Sequence, residues 1–73
     1  MPDKTYKVIE LVGVSQDSVQ AAIRNGIKRA AQSLKGLAWF EVEEIRGNIT
    51  DGDVSEFQVS MKVGFRILDP KEI

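Results

Sequence analysis

Leu37-Ala38-Trp39-Phe40-Glu41-Val42-Glu43-Glu44-Ile45-Arg46-Gly47-Asn48-Ile49, then Thr50-Asp51-Gly52-Asp53, then Val54-Ser55-Glu56-Phe57-Gln58-Val59-Ser60-Met61-Lys62-Val63-Gly64-Phe65-Arg66-Ile67, is the stretch that decides the fold. Two long runs of alternating apolar and polar residues flank an Asp-Gly pair. That dipeptide between such runs signals a two-residue hairpin turn, whose central positions both need φ above zero. The runs are read as strands over 37–49 and 54–67. In the second, Phe57, Val59, Met61, Val63, Phe65 and Ile67 share one face, while Glu56, Gln58, Ser60, Lys62, Gly64 and Arg66 share the other.

With Asp51 and Gly52 as the turn, Ile49 faces Val54, and regular pairing continues from there. Val42 then lies opposite Met61 and Phe40 opposite Val63, which makes a core face. On the polar face Trp39 lies opposite Gly64, Glu41 opposite Lys62, Glu43 opposite Ser60 and Ile45 opposite Gln58. Glu41 and Lys62 are expected to form a cross-strand ion pair. The chain's only tryptophan thus stands away from the core, beside a position without a side chain. A neighbour's side chain or a planar ligand stacked on the indole could fill that gap. Glu44 and Arg46 have the parity of the core face, where unpartnered charge is too costly to persist. They either lie beyond the end of a covering helix or pair with charges of another chain.

Upstream, Thr5 to Gly13 is rich in β-branched and aromatic residues and too short for a typical helix, so it is read as a first strand. Apolar residues at both parities (Val8 and Val12, Ile9 and Leu11) predict cover on both faces. Ser15 is a candidate helix cap and Asp17 suits the positive end of the helix dipole. Apolar residues then recur at Val19, Ala22, Ile23, Gly26, Ile27, Ala30 and Leu34, the stripe of one amphipathic helix, with Gly36 as its left-handed stop. Gly26 on that stripe costs about 1 kcal/mol relative to alanine, which close approach to the sheet would offset. Arg24 and Lys28 on the opposite side read either as an anion-binding stripe or, more plainly, as a solvated face. Asp69-Pro70 ends the last strand.

The element order is strand, helix, strand, strand. A right-handed crossover makes the first two strands parallel and leaves room for the third between them. The predicted fold is α+β: a β-α-β-β protomer, one domain over 1–73, with a three-stranded antiparallel sheet of order 1-3-2 on one helix.

At 73 residues such a chain buries only about 60% of the surface its unfolded form exposes. It has no cysteine and no histidine, so disulfides and the common zinc ligand sets are absent. Oligomerisation is the remaining source of stability. The same absences remove Cys nucleophiles, Ser-His pairs and His general bases, so an enzyme is not expected. Net charge of −1 and a pI near 5.3 supply no broad basic surface for nucleic acid. With no leader-like N-terminus and no apolar run able to span a bilayer, the chain is expected to be soluble and cytoplasmic, without a membrane partner.

Trp39-Phe40-Glu41-Val42, Arg46-Gly47, Gln58-Val59 and Val63-Gly64-Phe65-Arg66, with the opening Tyr6-Lys7-Val8-Ile9-Glu10-Leu11-Val12-Gly13, together resemble the dodecins, a family of small flavin-binding proteins. The resemblance covers nearly the whole chain. It implies a β-α-β-β protomer assembled into a hollow homododecamer, with flavins held as stacked pairs at subunit contacts. It also implies that the isoalloxazine ring is held between a tryptophan and a glutamine, which match Trp39 and Gln58. FMN is the flavin implied, with riboflavin also bound and, in some members, coenzyme A. The implied role is storage and buffering of flavin with quenching of its photochemistry. Asn48, where many members carry histidine, and Phe57, where tyrosine is common, depart from the pattern. Lys62 and Arg66 have a parity suited to a phosphate, although an ion pair is the plainer role for each.

The expected register constrains that picture. Gln58 is six positions from Gly64, roughly 20 Å along a strand. A flavin ring is about half that long, so either different subunits assemble the pocket or the register is wrong. The competing functional reading is a structural or interaction oligomer with no small-molecule ligand, in which Trp39 is an interface anchor.

Overall fold

The computed structural model describes residues 3–68, so the expected stop at Asp69-Pro70 lies outside the described residues. Strand β1 is Tyr6–Ser15, helix α1 Val19–Ser33, strand β2 Leu37–Thr50 and strand β3 Asp53–Arg66. The strands form one antiparallel sheet in the order β1-β3-β2, as the sequence predicts. The hairpin closes on Asp51 and Gly52 with φ of 53° and 79°, the left-handed pair that a two-residue turn of this kind requires.

The helix packs on β1 and β3. Ala22, Val59, Met61 and Val63 are fully enclosed there, ringed by Ile9, Leu11, Val19, Ile23, Ile27 and Leu37. Gly26 brings the helix close to the sheet. A Cβ at this position would lie 2.9 Å from Leu11 Cδ1, 3.1 Å from Met61 Cε and 3.2 Å from the Gly13 Cα. Glycine therefore recovers in packing what it loses in helix propensity.

Both helix ends differ from the sequence reading. Ser15 remains in the sheet opposite Phe57, and its Oγ accepts from the Asp17 amide at 2.9 Å. The cap is Ser18, whose extended backbone lets Oγ accept from the Ala21 amide at 3.0 Å. Asp17 consequently precedes the cap, and the first helical turn holds no acid. Leu34, placed on the helical stripe by periodicity, is the C-cap in an extended conformation, its N–H donating to the Ala30 carbonyl at 2.9 Å. Gly36, with φ of 78°, steers the chain into β2 rather than ending the helix. Its carbonyl accepts from the Arg66 amide at 2.8 Å.

The hairpin register is as expected at its two ends and offset in between. Thr50 faces Asp53 and Ile49 faces Val54, and farther along Val42 faces Met61, Phe40 faces Val63 and Trp39 faces Gly64. Ser55 falls out of the ladder on β3 and Glu43 falls out on β2, so the intervening pairs are Asn48 with Glu56, Gly47 with Phe57, Arg46 with Gln58, Ile45 with Val59 and Glu44 with Ser60. Glu43 is therefore not opposite Ser60, nor Ile45 opposite Gln58. A one-residue slip moves side chains to the other face. Glu44 and Arg46 thereby join the polar face and Ile45 crosses to the side of Val59. The two charges that parity placed in the core have no buried-charge conflict to resolve.

The helix does not reach the distal arm of the hairpin. The principal extents are 55 × 20 × 14 Å and the radius of gyration is 15.1 Å, against about 11 Å for a compact domain of this length. On the helix side of β2, Phe40, Ile45 and Ile49 remain 50%, 57% and 75% exposed. On β1 the outward-facing Val8, Val12 and Val14 are exposed as well, so the cover predicted for both faces is not supplied within one chain.

Candidate functional site

The sheet face opposite the helix carries the candidate residues in cross-strand rows. Central β3 contributes Gly64, Lys62, Ser60, Gln58 and Glu56 to this face. Val8 flanks Gly64 from β1 and Trp39 flanks it from β2; Val14 and Arg46 flank Gln58 in the same way.

Trp39 lies over Gly64. A Cβ at Gly64 would stand 2.7 Å from the indole Nε1 and closer still to Cε2 and Cζ2. The space opened by glycine is thus filled by the indole itself and is not a gap beside it. The ring lies against the Gly64 backbone and Trp39 as a residue is 43% exposed, an aromatic platform built from a large side chain seated on an absent one. Ala38 falls out of the ladder just before it, where pairing shifts between Leu37 and Trp39. Next along the face, Lys62 bonds Glu43 at 3.4 Å. The sequence reading assigned that pair to Glu41. Glu41 is the residue opposite Lys62, but the bulged Glu43 brings its carboxylate to the lysine instead.

At the other end, Gln58 sits in a chain of polar contacts. Its Oε1 accepts from Arg46 Nε at 3.0 Å and its Nε2 donates to Glu56 Oε2 at 2.8 Å. One Arg46 nitrogen donates to Glu44 Oε1 at 2.6 Å and to Ser60 Oγ at 2.8 Å. Asn48 Nδ2 donates to the same Glu56 oxygen at 3.2 Å. Of these companions, the sequence reading set Arg46 and Glu44 down as a charge conflict, quoted Arg46 within the family resemblance and named Asn48 as a departure from it, without joining any of them to Gln58. The legible signal was Gly47, because a glycine within a strand marks a bulge or close backbone approach. A Cβ at Gly47 would meet the Glu56 carbonyl oxygen at 2.5 Å.

Trp39 and Gln58 therefore share a face, as expected, yet one protomer does not bring them together. The offset register leaves both on the outer face with six strand positions between Gly64 and Gln58, roughly 20 Å. The cations Arg24 and Lys28 lie elsewhere, lining a groove of about 480 Å³ between α1 and β2 with Gln20, Ile23, Ile27 and Phe40. Among the described residues no three potential metal ligands cluster, and no helix is long and apolar enough to cross a membrane.

The chain matches the dodecin family profile over residues 5–68. It is 50% identical over 64 residues to the dodecin of Thermus thermophilus, covering 88% of this chain and 93% of that one. Among solved structures, the dodecin from Streptomyces davaonensis superposes with a TM-score of 0.91 at 51% identity, covering 93% of this chain and all of its own. The dodecin from Streptomyces coelicolor gives 0.90 at 49% identity, covering 94% of this chain and 99% of its own.

Proposed function

This chain belongs to the dodecin family, and from that premise we propose that it is a flavin-binding storage and buffering protein, taking FMN and also riboflavin, in the cytoplasm. The observation that carries the reading is the Trp39 indole, seated on Gly64 in a residue 43% exposed. A half-exposed aromatic surface of this kind fits an electron-poor planar ring, because offset stacking gains from the opposed charge distributions. Gln58 adds a neutral amide that both donates and accepts, suited to the polar edge of the same ring.

These two residues act from different protomers. The roughly 20 Å between their positions exceeds the length of the ring, so a stacked ligand needs Trp39 of one subunit and Gln58 of another. The bare apolar strip on β2 and the exposed outer side of β1 supply surface for such contacts. The assembly proposed is the hollow homododecamer that the family name denotes.

A bound flavin supplies a light-absorbing ring that is reactive when excited. Trp39 in van der Waals contact with it would supply an electron donor to the excited ring, and return of that electron would leave the ligand unchanged. Sequestration and photoprotection, rather than turnover, are the proposed activity. This is also what the residue types support, since the chain has no histidine or cysteine to act as base or nucleophile.

Sedimentation velocity monitored at the flavin absorbance separates this proposal from a ligand-free structural oligomer. Flavin sedimenting with a species about twelve times the protomer mass supports it. An assembly of that size sedimenting without flavin at micromolar FMN supports the structural reading.

A further inference from the structure

We propose that Glu56 is a positioning residue for Gln58, setting which end of the amide is presented to a ligand. The proposal rests on the flavin reading above and adds a polarity to it.

A glutamine amide can rotate by half a turn and exchange donor for acceptor, so by itself it discriminates little. In this protein the two neighbours remove that freedom by chemistry alone. The Arg46 guanidinium has only donors, so the group facing its Nε at 3.0 Å is Oε1. The Glu56 carboxylate, when ionised, has only lone pairs, so the group facing its Oε2 at 2.8 Å is Nε2. Rotation would set a carbonyl oxygen against a carboxylate and an NH₂ against a guanidinium, replacing two charge-assisted bonds with two repulsions.

Both clamps are themselves braced. Arg46 is held by Glu44 and Ser60 at 2.6 and 2.8 Å, and Glu56 also accepts from Asn48 at 3.2 Å. Arg46 is opposite Gln58 on β2, whereas Glu56 is two positions away on the same strand and face. The amide is thus gripped from two directions. After these bonds, one Nε2 hydrogen and one Oε1 lone pair remain uncommitted. Their order along the site is fixed, so the ligand edge that fits carries an acceptor and a donor side by side in one sense only. The imide-like edge of a flavin's pyrimidine ring is of that class.

The test is a double-mutant cycle on FMN affinity, read by fluorescence titration of the assembled protein, using Glu56→Ala, Gln58→Ala and the double variant. A residue that acts through another loses its effect when the other is absent. Glu56→Ala is expected to weaken FMN binding on the order of 3- to 10-fold in the wild-type background and to leave it unchanged in the Gln58→Ala background. Glu56→Gln, which keeps the shape but both donates and accepts, is expected to weaken binding less. Should Glu56→Ala not assemble, Glu56→Gln takes its place in the cycle. Equal weakening in both backgrounds, or wild-type affinity in Glu56→Ala, overturns the proposal while the flavin reading stands on Trp39. Wild-type affinity in Gln58→Ala also overturns it. Absence of FMN binding to the unaltered protein overturns both.

Discussion

Arg46 Nε donates to Gln58 Oε1 at 3.0 Å, a bond that exists because Glu43 is excluded from the hairpin ladder. Without that one-residue offset, Arg46 would have the parity of Val42 and point toward the helix side. The bulge therefore organises the polar end of the site, in keeping with the tendency of bulges to re-aim side chains near functional positions.

Gly47 makes that geometry possible, since a Cβ there would come to 2.5 Å from the Glu56 carbonyl oxygen. Gly47→Ala is expected to destabilise the assembly by about 1–3 kcal/mol, the usual cost of forcing atoms into an occupied space. Chemical denaturation of the two proteins side by side checks this. An unchanged midpoint would mean that the strands can separate there at no cost.

Gly64→Ala attacks the aromatic platform without touching the indole's chemistry. The added methyl would collide with Trp39, so the ring must lift from the sheet. Flavin quenching is expected to fall at least tenfold while the far-ultraviolet circular dichroism stays that of the parent. Retention of full quenching would show that the seat on Gly64 is dispensable.

Met61 is the largest of the fully enclosed side chains and lies where helix and sheet meet. Met61→Ala is expected to cost about 2–5 kcal/mol, through lost burial and the cavity left behind. Its flavin affinity, measured where the variant is still folded, should remain close to the parent's, because Met61 faces away from Trp39.

The cap assignment is testable at one position. Ser18→Ala is expected to cost about 1 kcal/mol, and Ser18→Gly only a few tenths, because glycine adopts the extended cap backbone and leaves the amides open to water. Equal losses for both would indicate that the hydroxyl's bond to the Ala21 amide is not what stabilises this end.

Much of this molecule is legible in its sequence, because two periodicities and one turn dictate it. The alternating runs, the Asp51-Gly52 pair and the stripe from Val19 to Ala30 specify three strands, a helix and their order. The seating of Trp39 opposite Gly64 follows from the same alternation. Hidden from that reading were the offsets at Ser55 and Glu43, since period-two counting assumes an unbroken ladder. Six residues, Glu44 to Ile49, were consequently placed on the wrong faces. Ser15 reads as the cap by its hydroxyl, a group that Ser18 carries as well. Only the pairing of Ser15 with Phe57 at the end of β1 decides between them. The Arg46 half of the Gln58 clamp was equally invisible, because the regular register sets those two residues on opposite sides of the sheet, whereas Glu56 already shared the face of Gln58.

The most direct measurement is a titration of FMN fluorescence with flavin-free protein, run in parallel on the parent and on Trp39→Ala. The account predicts strong quenching by the parent that saturates at a fixed ratio of flavin to protomer, and its loss in Trp39→Ala with the assembly still intact. Unquenched FMN at micromolar parent protein, or equal quenching by Trp39→Ala, would contradict it.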